Sequence, residues 1–411
     1  MLALYKIEEF ARLMVIYSIG ILFSIFSICI PILKDILKRK DVFTVKDRSS
    51  YESRLYTECS DFVQHKTLTL EGKFFHYVEV GDVSKPLILF LHGFPQFWYS
   101  WRFQLQGLQD MGYHLVAVDM RGAGGSYKPR EAHNYNANLL LTDIRDIIQK
   151  LSPNGRAACV VGHDWGSIIA WQAAAQSWEW DQYQDQSGYI DRLIILNGCH
   201  MVIFNQNFRS RLTDFIHLYR NLKSLISNPI STLALSWQKF RPCIDQFFGS
   251  FYVFIFNLPN PIGESWFLLR DVEIYDKLSR SIPKEMMNEE DINFYKAIFC
   301  ADNYASLIGG INYYRSNAMN GFFKEQERRG IKQPGFIGIP TLVIWGDKDP
   351  TMNKDLCLSN MGKLVSNLKI EHIPEANHFI QEECPDKVNN LIRTFITSQG
   401  NYHDLDENIE S

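Results

Sequence analysis

Residues 162–167 read GHDWGS, and the surroundings of this hexapeptide decide the fold. In front of it stands AACVVGHD, Ala157–Asp164, an apolar and β-branched run that predicts a strand. Behind it, Ser167–Gln176 predicts a helix. A strand that turns sharply into a helix, with small residues flanking the tip, is the local pattern of a nucleophile elbow, G-x-S-x-G. Gly162 and Gly166 hold the small-residue positions here, and Asp164 occupies the tip where that pattern has serine.

Working outward, the same kind of strand recurs. PLILFLHG from Pro86, HLVAVDMRG from His114, RLIILNG from Arg192 and PTLVIWGDKD from Pro340 are short apolar runs with helical stretches such as Leu139–Lys150 between them. Strands that are apolar throughout are covered on both faces, which predicts a mostly parallel α/β sheet. Each run ends in a polar or glycine-rich turn, where α/β enzymes place ligands. Between about residues 200 and 330 the rhythm stops, and a stretch rich in Phe, Tyr, Trp and Ile reads as a helical insertion. PTLVIWGDKD then resumes the sheet, and the acidic residues from Gly400 predict a frayed tail.

The 411 residues are 46% hydrophobic and 14% aromatic, enough for a large core and too apolar for a disordered chain. A net charge of −4 gives nucleic acid no basic stripe to bind. The eight cysteines form no C-x-x-C pair, so neither zinc spacing nor a compact disulfide framework is present, and they read as reduced residues of a cytosol-facing protein. The amino terminus is different. Leu13–Leu33, LMVIYSIGILFSIFSICIPIL, is uncharged over about the twenty residues that span a bilayer. It is longer than the roughly 7–15 residues of a signal-peptide core, and Glu8 and Glu9 precede it. A retained transmembrane helix is expected. Lys34, Lys38, Arg39, Lys40, Lys46 and Arg48 follow it and only Lys6 and Arg12 precede it, which predicts a cytosolic catalytic part. The expected organisation is an anchor over 1–40, a core over 41–200 and 331–411 including the tail, and a helical cap over 201–330.

Three strand ends carry candidate chemistry in a telling order. Asp164 ends one strand, Asp349 follows PTLVIWGDKD, and His378 lies in the turn after LKIEHIPEAN. Nucleophile, acid, histidine is the chain order of α/β-hydrolases. HGFP, His92–Pro95, follows the LILFL strand, so the main-chain N–H groups of Phe94 and Trp165 are expected to form an oxyanion hole. DMRGAGGS, Asp119–Ser126, is glycine-rich but lacks the Gly-Lys-Ser/Thr of a phosphate loop and reads as a structural turn.

Together, HGFPQFWYSWR, DMRGAGGS, GHDWGS, WGDKD and ANHF resemble the α/β-hydrolase-fold epoxide hydrolases over about residues 60–397. The amino-terminal anchor makes the chain most similar to the membrane-anchored animal members, which implies a single-pass protein of the endoplasmic reticulum. The resemblance implies two cap tyrosines that polarise the epoxide oxygen: Tyr314 in INYYRSN, and Tyr252 in FYVFIFNLP, seven residues before Pro259. It also places Phe94 and Trp165 at the substrate.

A carboxylate of reference pKa about 3.9 is ionised at neutral pH, whereas phenols near 10 remain donors. Asp164 is therefore expected to open the epoxide and form an ester, and His378, oriented by Asp349, to activate the water that hydrolyses it. The products are vicinal diols. Lipophilic epoxides, above all epoxy fatty acids, are the expected substrates, with no metal or organic cofactor. Two other readings stay open: a haloalkane dehalogenase using the same aspartate, and an inactive membrane-tethered binding protein.

Overall fold

All five quoted apolar runs become strands of one sheet. In the computed structural model, which describes residues 14–38, 41–177, 188–220, 229–317 and 335–398, eight strands pair in the order β1-β2-β4-β3-β5-β6-β7-β8. They are β1 (Gln64–Leu70), β2 (Lys73–Val80), β3 (Leu87–Leu91), β4 (His114–Val118), β5 (Ala157–His163), β6 (Leu193–Leu196), β7 (Thr341–Gly346) and β8 (Leu368–Ile373). The six strands from β3 to β8 run parallel, and β2 joins β4 antiparallel. β3, β4, β6 and β7 are buried along their whole length, which is why their sequences carry no polar face.

The β1–β2 hairpin had no apolar run to announce it. Its edge strand QHKTLTL is largely exposed, and Glu71 and Gly72 turn the chain at φ 47° and 78°, the left-handed pair of a two-residue hairpin. Helix α1 (Trp165–Ser177) begins two residues before the predicted Ser167, because the Ser167 and Ile168 amides close on the Asp164 carbonyl. The helix predicted over Leu139–Lys150 spans Ala137–Leu151, capped by the Asn136 side chain on the Leu139 amide. All eight cysteines are free thiols.

Between β6 and β7 the regular structure is helical: α2 (Met201–Arg220), α3 (Pro229–Gly249), α4 (Phe251–Phe256), α5 (Ile262–Leu278) and α6 (Glu289–Asn317). Both α5 and α6 break where three successive residues adopt left-handed φ, Arg270–Val272 and Asp302–Tyr304. Past its break, α6 lies against the loops that follow β3 and β4. A Cβ on Gly309 would stand 2.3 Å from the Gly122 carbonyl oxygen, and one on Gly310 2.1 Å from the Phe94 ring. The insertion thus covers the ends of the strands where the candidate residues lie. The expected cap boundary at 330 and the tail from Gly400 fall outside the described residues.

The expected transmembrane helix is not found among the described residues. From residue 14 the helix passes into a π-helical turn at Ile25–Cys29 and resumes as Ile30–Leu37, and no described helix is long and apolar enough to cross a membrane. One side of it is committed to the protein. Phe23 packs on Phe247, Phe251 and Phe254 with centroids 5.6, 5.6 and 6.3 Å away, and Gly20 sits against the Phe254 carbonyl. Hydropathy alone could not separate these cases, because a helix apolar all round suits a protein face as well as a bilayer. Leu13 and the flanking Lys6, Arg12, Arg39 and Lys40 lie outside the described residues.

Candidate active site

At the end of β5, Asp164 takes φ 49° before α1 starts. Such a left-handed non-glycine residue costs about 1–3 kcal/mol and persists only where its surroundings enforce it. Here the enforcing feature is close approach: a Cβ on Gly162 would lie 2.6 Å from the Gly166 carbonyl oxygen, and one on Gly166 2.1 Å from that of Leu91. The two glycines of the motif let β5, α1 and the end of β3 converge, which lifts the Asp164 carboxylate clear of the sheet.

That carboxylate is buried and has two neighbours. Its Oδ1 accepts the Phe94 N–H at 2.9 Å, and its Oδ2 is 3.6 Å from His378 Nε2. On the other side of the ring, His378 Nδ1 donates to Asp349 Oδ2 at 2.7 Å. The structure therefore aligns the three predicted residues, brought from the ends of β5, β7 and β8. Burial disfavours a charged His378, yet the Asp349 charge and the hydrogen bonds to both aspartates outweigh it and raise the imidazole to about 10. Against the same burial, His378 and its other donors draw Asp349 down to about 2 and hold Asp164 below the usual carboxylate range. The resting site is carboxylate, imidazolium, carboxylate.

Tyr252 on α4 and Tyr314 on α6 face this row. Their rings meet at 5.9 Å and 83°. Burial, reinforced by the nearby negative charge of Asp164, holds both phenols above their ordinary value, so both remain protonated donors. Tyr252, Tyr314, Asp164, His378 and Phe94 line one cavity of about 480 Å³, whose other walls include Phe248, Phe251, Phe256, Trp266 and Phe267. Trp165 lines a small neighbouring pocket together with Phe94. Its ring stands edge-on to Tyr314 at 5.0 Å and packs on Tyr313, so it props the tyrosine and is not among the residues lining the larger cavity. Its N–H belongs to the first turn of α1, where amides point out of the helix end.

Sequence reasoning missed the residues that hold this row in place. Asn197, at the end of β6 with φ 38°, donates to Asp349 at 2.6 Å and to the Asn377 carbonyl at 3.2 Å. Thr351 contributes both its N–H and its hydroxyl to the other Asp349 oxygen. His163, beside the nucleophile, donates to the His378 carbonyl at 2.8 Å, and burial together with the His378 charge lowers it to about 3, so it stays neutral. The signal for Asn197 was present, an asparagine closing an apolar strand, since asparagine tolerates the left-handed region. DMRGAGGS is the structural turn it was read as: buried Asp119 accepts from His76 Nδ1, the Trp98 N–H and the Gly125 N–H.

The fold has known relatives. Residues 86–385 match the family described as alpha/beta hydrolase fold. Over 329 residues the chain is 32% identical to Epoxide hydrolase 3 of Xenopus tropicalis, covering 78% of this chain and 74% of that protein. It is 31% identical over 366 residues to Epoxide hydrolase 1 of Caenorhabditis elegans, covering 86% and 76%. With Epoxide hydrolase 4 of Homo sapiens the identity is 30% over 335 residues, covering 80% and 77%. Among solved structures, a Bacillus megaterium epoxide hydrolase in complex with an inhibitor superposes with a TM-score of 0.60 at 26% identity, covering 81% of this chain and 100% of that one.

Proposed function

This chain belongs to the α/β-hydrolase-fold epoxide hydrolases, and from that premise we propose that it converts lipophilic epoxides to vicinal diols through an ester on Asp164. The observation that carries the reading is the shared cavity wall, with a carboxylate and two phenols on one surface. Asp164 attacks an epoxide carbon while Tyr252 and Tyr314 donate to the ring oxygen, and one of them gives its proton to the alkoxide as the C–O bond breaks. The product is a glycol monoester, which leaves Asp164 without charge.

Loss of that charge removes one of the influences that keep His378 protonated. His378 gives that proton to the phenolate left by the epoxide opening, and the neutral imidazole, oriented by Asp349, then takes a proton from water as the hydroxide adds to the ester carbonyl carbon of Asp164. The Phe94 and Trp165 amides receive the oxyanion, the diol departs, and Asp164 is restored as a carboxylate. A halide-displacing enzyme shares the nucleophile but has no use for paired phenol donors. An inactive binding protein has no need of the bond from His378 to Asp349.

The aromatic walls favour an extended apolar substrate, epoxy fatty acids in particular, and the apolar amino-terminal segment favours attachment of the protein to the cytosolic side of the endoplasmic reticulum membrane. The mechanism is tested by single turnover in heavy-oxygen water. Label is expected to enter the Asp164 carboxylate over repeated cycles and to be absent from the first diol released. Label in the first diol overturns the ester route.

A further inference from the structure

The cavity that holds Asp164 carries a second set of charges that the chemistry above leaves unused. Apart from Asp164 and His378, the charged residues of its wall are Arg270, Glu273 and Lys277, all on α5. Around them the wall is apolar, with Phe248, Trp266 and Ile274 among its residues. The two sets lie at different depths. The Asp164 and His378 side chains are 5% and 9% exposed, whereas those of Arg270, Glu273 and Lys277 are 27%, 36% and 53% exposed. The cavity therefore leads from a half-exposed polar rim, past aromatic walls, to a buried row of reacting groups.

The rim holds more donors than acceptors. Arg270 commits Nε and Nη2 to Asp35 Oδ2, at 2.7 and 2.5 Å. Its Nη1 is left 3.7 Å from Glu273 Oε2, beyond hydrogen-bond reach. Lys277, one helical turn past Glu273, donates to that same Oε2 at 3.0 Å. One carboxylate oxygen thus stands between two cations. A guanidinium has five N–H groups and an ammonium three, so both hydrogens of Arg270 Nη1 and two of Lys277 have no hydrogen-bond acceptor among the described residues.

Exposed ion pairs of this kind are ordinary on a surface and contribute little. Their place in the wall of a ligand cavity sets these apart, because a few polar groups in an apolar pocket fix how a ligand lies. Arg270 is brought to that wall by the left-handed break of α5, at φ 52°, and backbone strain of this kind collects at ligand clamps. Glu273 shows that a carboxylate fits between the two cations. A further anionic oxygen takes up the spare N–H groups, whereas an ammonium end would face two like charges.

We propose that Arg270 and Lys277 form a head-group subsite for a carboxylate, so that the substrate is an epoxide on an apolar chain ending in a carboxylate, and that Glu273 competes for the same cations. The placement of the epoxide rests on the catalytic reading above; the preference for an anionic end does not.

The test compares a mid-chain epoxide of a long-chain fatty acid with its methyl ester, on the full chain at neutral pH. The acid is expected to show a KM about fivefold lower, the upper worth of an exposed ion pair, with kcat unchanged. Lys277→Met is expected to remove that advantage, and Glu273→Gln, which withdraws the competing carboxylate, to enlarge it. Neither is expected to alter KM for the methyl ester. Opposite effects confined to the acid do not arise from a loss of packing. Equal KM values for acid and ester in the wild type overturn the subsite, and so does a Lys277→Met shift shared by both substrates. Turnover of neither epoxide strikes at the catalytic reading, and calorimetric titration with decanoate and with decanol then decides the subsite by itself. Tighter binding of decanoate, lost in Lys277→Met, upholds it, and equal affinities overturn it.

Discussion

Asp164 and His378 share their charges, and that sharing makes measurable predictions. With His378→Gln the nucleophile and phenols remain, so the Asp164 ester is expected to form and to accumulate. Turnover is expected to fall by about 10²–10⁴-fold, the usual worth of general-base help. Mass spectrometry of the quenched protein checks the adduct, and an unmodified Asp164 with normal turnover removes His378 from the mechanism. The same residue sets a pH signature of stability. Folded His378 lies near 10, above the roughly 6.5 of an unfolded histidine, so its contribution is complete below about 6.5 and is lost as pH rises through 10. Asp349, drawn down to about 2, contributes above its unfolded value of 3.8 and loses that contribution as pH falls toward 2. Between pH 6.5 and 10 the melting temperature is expected to drop more steeply for wild type than for His378→Gln. Parallel slopes contradict the raised imidazole. For the phenols, Tyr252→Phe and Tyr314→Phe are each expected to slow ester formation by roughly 10²-fold, as loss of one oxyanion-type donor does. Stopped-flow measurement of the alkylation step distinguishes this from a defect in hydrolysis.

At the scale of elements, legibility followed burial. β3, β4, β6 and β7 were readable because total burial forces an apolar run, while β1 was not, since an exposed edge imposes no such pattern. The breaks in α5 and α6 left only the weak mark of Asp271, Asp302 and Asn303, residue types that tolerate the left-handed region. Arg270–Val272 and Asp302–Tyr304 contain neither glycine nor proline, and tertiary bonds such as that from Arg48 to Asp271 hold the first of them. Where α6 meets the core the contact is backbone on backbone, with Gly309 against Gly122. Gly309→Ala has no side chain to push aside there and is expected to cost about 1–3 kcal/mol by chemical denaturation, the usual range for overpacking. It is also expected to raise KM, because α6 carries Tyr314. A neutral result would mean that the insertion is free to lift from the core.

Across the whole molecule, the cap is tied at both ends of the chain's path. α6 presses it onto the strand ends, and the amino-terminal segment clamps α5 through Asp35, Val42 and Arg48. Arg48→Ala strands a largely buried Asp271 without its bidentate partner and is expected to cost about 1.5–3 kcal/mol, the range for hydrogen bonds to charged groups. The effect is read as a lowered urea midpoint together with a raised KM for bulky epoxides. A KM unchanged in the destabilised variant would separate the clamp from the cavity.

By itself the sequence determined the buried strands β3 to β7 and the elbow, and it singled out Asp164, Asp349 and His378 at strand ends, because buried strands and sharp turns constrain residue type locally. It also contained Tyr252 and Tyr314, but only likeness to a family singled them out among 19 tyrosines. The tertiary structure alone decided that both phenols share a cavity with Asp164, that Asn197 and Thr351 hold Asp349, and that the amino-terminal apolar run lies on the cap. These are contacts between residues distant in the chain, and no local pattern of hydropathy or spacing encodes which surfaces meet.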